Sequence, residues 1–172
     1  MEFHMNLETE RLFMRPIRPW DADALHRLHC DPLVVEWMMQ GNLPTREESY
    51  ERLSLYLHEW ETYGYGFWMV YERERNGGLR FAGRSGLRRV DDKDIEIGYA
   101  LFGNRCGKGI APESLKPVIE FAFATQRVDR LVSFIRPTNI RSQRVTTKMG
   151  FTCLGPVDGT NYEVFELRRP PQ

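Results

Sequence analysis

Hydrophobic positions along the chain switch between period two and helical spacing, and the order of the switches predicts a sheet interleaved with helices. From Thr9 to Ile17, Leu12 and Met14 oppose Arg11, Phe13 and Arg15, so the segment reads as a strand that Pro16 and Pro19 then break. Two helical stretches follow. Asp21 is placed to cap Ala22, Leu25, Leu28 and His29, and Thr45 with Glu48 forms a capping box ahead of Tyr50, Leu53, Leu57 and Trp60. Phe67 to Glu72 and Leu79 to Val90 read as a hairpin, because Asn76-Gly77-Gly78 between them tolerates the positive φ of a tight turn. The polar run Asp91 to Asp94 turns the chain into a fourth strand, Ile95 to Phe102. Ile95, Ile97, Tyr99 and Leu101 share one of its faces, and Glu96, Gly98 and Ala100 the other.

A glycine-rich loop leads into Leu115, Val118, Ile119, Ala122 and Phe123 at helical intervals, and Arg130 to Ile135 reads as a buried fifth strand. Pro117 predicts a kink in that helix unless it lies near the N-terminus. Thr138-Asn139 offer caps for a last helix to Met149, which Gly150 ends with Phe151 folded back on its final turn. Phe151 to Leu154 and Tyr162 to Leu167 complete the sheet.

The chain is 172 residues long and 41% hydrophobic, which fits one domain over 1–172. Residues 1–4 read as an expression remnant, with a natural start at Met5. Charge changes the picture by exclusion: 24 basic residues balance 24 acidic ones, so no global field favours nucleic acid. Cys30, Cys106 and Cys153 are odd in number and lack a C-x-x-C pair, which argues against a disulfide framework or a metal site and for a reducing cytoplasm. No signal-like start or membrane-length apolar run is present, so no membrane partner is expected.

The loop Gly103-Asn-Arg-Cys-Gly-Lys-Gly-Ile-Ala111 lies between a strand and a helix, where backbone N–H groups and the helix N-terminus converge on an anion. Gly107 and Gly109 permit close backbone approach, Arg105 and Lys108 add charge, and Pro112 suits the first helical turn. A tight turn with solvated basic residues would have the same sequence. A P-loop is disfavoured because the spacing is wrong and Gly109 stands where a magnesium-binding hydroxyl belongs. A dinucleotide fold would carry its glycines after the first strand.

With Ile95-Glu96-Ile97-Gly98-Tyr99 before it, the Gly107-Lys108-Gly109-Ile110-Ala111 block resembles the GNAT superfamily of N-acetyltransferases. Asn139-x-x-Ser142-x-x-Val145-x-x-Lys148-x-Gly150-Phe151 and the opening Glu8-Thr9-Glu10-Arg11-Leu12-x-x-Arg15 resemble its RimJ/RimL-like branch, the ribosomal-protein N-terminal acetyltransferases. The resemblance implies a single α/β (α+β) domain with a mixed, mostly antiparallel sheet, splayed between the fourth and fifth strands and flanked by helices. It implies acetyl-CoA as donor, with Arg105, Cys106, Gly107, Lys108, Gly109, Ile110 and Ala111 at the pyrophosphate, Tyr99, Ala100 and Leu101 beside the pantetheine, and Asn139 and Ser142 near it. Cys106 departs from the family, whose loop often begins with Gln or Arg.

Transfer to an amine needs a neutral amine, a polarised carbonyl and a proton for the thiolate. By resemblance Glu96 is the candidate base and Ser142 the group hydrogen-bonded to sulfur, since the Asn139 helix lacks the family's frequent tyrosine. Each has a plainer alternative, a polar residue on a half-exposed strand for Glu96 and a cofactor contact or cap for Ser142. Gly98 marks either a bulge that opens the sheet or a packing point. His26, His29 and His58 read as surface or core residues and Cys106 as packing. Trp37 and Met38 belong to the region that resembles one wall of the acceptor groove, so they are substrate candidates. An α-amine, with a pKa near 7.7 to 8.0, needs less help from a base than a lysine-like amine. The expected acceptor is therefore a protein or peptide N-terminus. A small-molecule amine (polyamine, amino acid or aminoglycoside) and a non-catalytic acetyl-CoA sensor are the alternatives, and the protein would be a monomer or homodimer.

Overall fold

The computed structural model describes residues 5–126 and 128–171; the presumed remnant at 1–4 lies outside them. The first predicted strand divides into Leu7–Glu8 (β1) and Leu12–Pro16 (β2), paired antiparallel. The reason is local: the Thr9 hydroxyl accepts the Leu12 N–H at 3.0 Å and closes a turn between them. Asp21 does not cap the helix Ala22–His29 (α1). Its buried carboxylate instead takes two Arg15 N–H donors and the Arg18 N–H, each at 2.7 Å, because an ionised donor fork outcompetes a lone amide.

A second helix, Pro32–Met38 (α2), escapes the periodicity because it is short. Its signal is in its start, where Asp31 accepts the Leu33 N–H at 3.0 Å and Pro32 takes the first helical position. The capping box holds for Arg46–Tyr63 (α3): the Thr45 hydroxyl accepts the Glu48 N–H at 3.2 Å and Glu48 accepts the Thr45 N–H at 2.7 Å. Gly64 ends that helix at φ 72°.

Phe67–Arg73 (β3), Leu79–Arg89 (β4) and Ile95–Leu101 (β5) form the predicted meander, with Gly77 of its first turn at φ 83°. Gly98 sits in unbroken register opposite Gly86, so it marks no bulge. The irregularity falls between Val70 and Tyr71, opposite Gly83 at φ 151°. A Cβ at Gly83 would stand 2.1 Å from the Ala100 carbonyl oxygen, so only glycine lets β5 approach there.

Ile110–Thr125 (α4) runs on through Pro117 and crosses over to Arg130–Ile135 (β6), which lies parallel to β5. Ile140–Lys148 (α5), capped by Asn139, stops at Gly150 (φ 93°) with Phe151 buried as predicted. Thr152–Pro156 (β7) and Glu163–Arg168 (β8) follow. The eight-stranded sheet has the order β1-β2-β3-β4-β5-β6-β8-β7, and β5–β6 is the parallel pair in an otherwise antiparallel array. The last strand thus inserts beside β6 and leaves β7 at the edge.

One face of the sheet meets α4, where Trp68 packs edge-on to Phe121 with ring centres 5.1 Å apart. Trp60 of α3 meets Trp68 edge-on at 4.7 Å and donates its indole N–H to the Phe67 carbonyl at 3.0 Å. At the start of β6, Arg130 reaches Asp94 with two donors at 2.8 and 2.7 Å and Glu166 of β8 at 3.1 Å. Three strands are thereby pinned together at one end.

His29 is fully buried in α1, and among the described residues neither ring nitrogen has a partner. Burial, followed by the charges of Arg84, Arg52 and His26, pushes its pKa down to about 3. The unfolded chain takes up this proton near pH 6.5, whereas the native protein resists until about pH 3. The neutral ring therefore contributes stability above pH 6.5 that is lost as the pH falls toward 3, at up to about 1.4 kcal/mol per pH unit. Urea melts of the native protein and of His29→Leu should show a shallower acid loss of stability in the variant between pH 6.5 and 4.

Candidate active site

Pairing between β5 and β6 lasts two residues, Ile95 opposite Leu131 and Glu96 opposite Val132. Beyond them lies a cavity of about 650 Å³, lined by β5 from Glu96 to Leu101, by Ser133 to Ile135 of β6 and by residues of α2, α3 and α5. Tyr99, Ala100, Leu101, Cys106, Asn139 and Ser142 all line it, as do Glu96, Trp37 and Met38. The groups assigned to donor and to acceptor thus share one space.

Gly107, Lys108, Gly109, Ile110 and Ala111 lie outside that lining, in the turn that enters α4. Gly107 and Gly109 take φ of 75° and 78°, which glycine adopts without the Cβ penalty. Arg11 reaches over from the turn before β2, donating to the Lys108 carbonyl at 3.0 Å and pairing with Glu113 at 2.5 Å, while the Thr9 hydroxyl donates to Glu113 at 2.5 Å. Partial burial of Glu113 pushes its pKa up, but Thr9 and Arg11 outweigh it and hold the carboxyl below its ordinary value. Among the described residues no protein acceptor takes the N–H groups of Gly107 to Ala111. A turn with its carbonyl tied back and its amides free suits an anion.

Arg105, expected at the cofactor, turns instead to Glu72 of β3, with 3.1 Å between charged atoms, and lies outside the cavity lining. Its charge is engaged within the protein. The Cys106 thiol reaches the Phe102 carbonyl at 3.6 Å, half buried, in keeping with packing. Asn139 accepts the Ser142 N–H at 3.2 Å and so positions the head of α5 toward the cavity. Burial pushes the Tyr99 phenol up, while a hydrogen bond with Ser142 works the other way. Tyr99 of β5 therefore lies beside Ser142 of α5 in the cavity lining.

Glu96 is not a free carboxylate. Arg88, its cross-strand neighbour, holds it with two donors, Nε at 2.9 Å and Nη2. Arg84, Gly86 and Arg88 of β4 face Ala100, Gly98 and Glu96 of β5 in register, and all but Gly86 line the cavity. A Cβ at Gly98 would meet nothing within 4 Å, so Gly98 leaves the floor open, whereas its partner Gly86 packs against the backbone of Gly66 and Phe67. The sequence reading missed Arg84, Arg88, Arg52 and Tyr162 of this lining. For the two β4 arginines the available signal was their period-two spacing around Gly86 on the second strand of the predicted hairpin.

A family model described as "Acetyltransferase (GNAT) domain" matches residues 11–152. The chain belongs to the GNAT acetyltransferases. It is 24% identical to the uncharacterized N-acetyltransferase YoaA of Bacillus subtilis over 95% of this chain and 97% of that one. In fold it is similar to an acetyltransferase from Agrobacterium tumefaciens (TM-score 0.80, 24% identity, 96% and 95% of the two chains). It is also similar to RimL, a ribosomal L7/L12 alpha-N-protein acetyltransferase solved with coenzyme A (TM-score 0.79, 18% identity, 95% and 98%). The split sheet is thus a GNAT feature, and the free amides of the 107–111 turn fit the phosphates of a coenzyme A donor.

Two variants separate the parts of the site. Arg11→Ala frees the Lys108 carbonyl and Glu113, so the KM for acetyl-CoA should rise about tenfold with kcat nearly kept. Gly98→Val fills open space without a backbone clash, so the protein should melt within a few degrees of the parent while kcat/KM falls at least about 100-fold. Steady-state kinetics with thermal melts report both.

Proposed function

We propose that this enzyme transfers the acetyl group of acetyl-CoA directly to an α-amine, that of a protein or peptide N-terminus. The observation that carries the reading is one cavity beyond the short β5–β6 ladder, lined both by Tyr99, Asn139 and Ser142 and by Trp37, Met38 and Glu96. Acetyl-CoA supplies an activated thioester. The amine nitrogen bonds to the carbonyl carbon, the carbon–sulfur bond breaks, and one amine proton ends on the released thiol.

Glu96 is the base, but one oxygen of its carboxylate is already engaged by the Arg88 fork. That limitation supports an α-amine over a lysine-like amine, because a pKa near 7.7 to 8.0 leaves part of the acceptor already neutral. Backbone N–H groups of β5 beyond Glu96 face the thioester oxygen, freed by the departure of β6. Ser142 hydrogen-bonds the departing sulfur, with Tyr99 beside it as the group that relays a proton. The similarity in fold to RimL supports the acceptor class.

The test is a thiol-release assay with peptides and small amines, beside calorimetry of acetyl-CoA binding. Turnover of peptides is expected. Glu96→Gln should lower kcat/KM about 100-fold at neutral pH, and much of that loss should be recovered as pH rises past the acceptor's own pKa. Turnover confined to small amines would replace the acceptor, and binding without turnover of any amine would make the protein a sensor.

A further inference from the structure

Arg84 is 1% exposed, at the centre of β4, and lines the acceptor side of the cavity. Its Nε has no hydrogen-bond partner, and among the described residues no carboxylate lies within ion-pair distance of it. Its visible contacts are soft ones. The guanidinium carbon lies 4.2 Å from the ring centre of Phe67 and 5.0 Å from that of Tyr56, and Nη2 stands 3.8 Å from the Met38 sulfur. Faces of aromatic rings attract a cation but do not replace the hydrogen bonds it left in water.

Every other arginine of β4 to β6 finds an acid: Arg80 has Glu74, Arg88 has Glu96, Arg89 has Asp92 and Arg130 has Asp94 and Glu166. Arg52 of α3 also lines the acceptor side, close enough to Arg84 for the two charges to repel. His29, on the neighbouring α1, stays neutral and adds no negative charge. Against Arg52, Arg84 and Arg88 this flank sets Glu59 and Glu96. Glu96 is committed to Arg88, and Glu59 accepts the Arg89 backbone N–H at 3.1 Å. The acceptor side is therefore cationic, with one buried donor fork uncommitted.

From this we infer that the acceptor's α-amine is accompanied by a carboxylate, and that this carboxylate docks on the Arg84 guanidinium. The proposal rests on the acetyltransferase reading and narrows its substrate class. Arg84 is two residues along β4 from Gly86, which faces Gly98 at the open floor, a distance of about 7 Å at the usual strand rise. A guanidinium that leans toward the floor spans the gap between an amine and an acid group of one amino-acid unit. The carboxylate is either the α-carboxylate of a free amino acid or the side chain of an acidic first residue in a peptide. Polycationic acceptors such as polyamines and aminoglycosides meet charge of their own sign. Docked beside the amine, Arg52 and Arg84 also disfavour its ammonium form, which assists a base as constrained as Glu96.

The experiment uses the full chain with saturating acetyl-CoA and two matched acceptor series. One is leucine, leucinamide and isoamylamine; the other is C-terminally amidated peptides beginning with Asp, Glu, Asn or Gln. In at least one series the acid should exceed its neutral partner by about 100-fold in kcat/KM, and the series that does so names the source of the carboxylate. Arg84→Met, similar in length and apolar, should abolish that preference while the KM for acetyl-CoA stays within about twofold and the melting temperature does not fall. Equal rates for acids and amides in both series overturn the proposal without use of any variant, and so does a preference that survives Arg84→Met. Acetyl-CoA binding by calorimetry with turnover of neutral amines alone overturns it and leaves the acetyltransferase reading intact. Failure of every amine in the presence of bound acetyl-CoA overturns both readings.

Discussion

A strand's N–H and C=O groups need partners, and a sheet that parts in the middle leaves two rows of them exposed. Here the parting is enforced from one end. Arg130 binds Asp94 ahead of β5 and Glu166 on β8, so β6 starts against β5. After Glu96 and Val132 the ladder stops. The crossover helix α4 sets where β6 begins, and the pin keeps the two strands joined only there. The cavity and the unpaired edge of β5 both follow from that short ladder.

The turn at residues 107–111 is stabilised from a distance in sequence. Thr9 and Arg11, next to the first strands, hold Glu113 and the Lys108 carbonyl across about a hundred residues of chain. The opening motif that resembles the RimJ/RimL-like branch therefore has a mechanical role, since it fixes which way the turn presents its amides. Ion pairs this exposed are weak one at a time. Three contacts converging on a single carboxylate act together and explain why its pKa stays low.

Much of the fold was legible because each signal was local. The Thr45–Glu48 box, the Asn76-Gly77-Gly78 turn and the Gly150–Phe151 stop each depend on neighbours within a few residues. Thr9 and Asp21 misled for the opposite reason: the hydroxyl chose a turn over the strand, and the carboxylate chose Arg15 over a helix cap. The site divides in the same way. Glu96, Tyr99, Asn139 and Ser142 stood out through motifs and do line the cavity. The Arg88 fork on Glu96, the turn of Arg105 toward Glu72 and the isolation of Arg84 depend on cross-strand register, which no single segment encodes.

Asp31 ties together two segments that contribute to the cavity wall. One of its oxygens accepts the Leu33 N–H at the head of α2, and the other accepts the Gly103 N–H at the root of the donor loop, at 3.0 and 3.1 Å. The helix bearing Trp37 and Met38 and the segment leading to Cys106 therefore hang from opposite corners of one carboxylate. Neither can shift far without tugging the other or tearing a bond, so α2 and the segment after Gly103 behave as one mechanical unit.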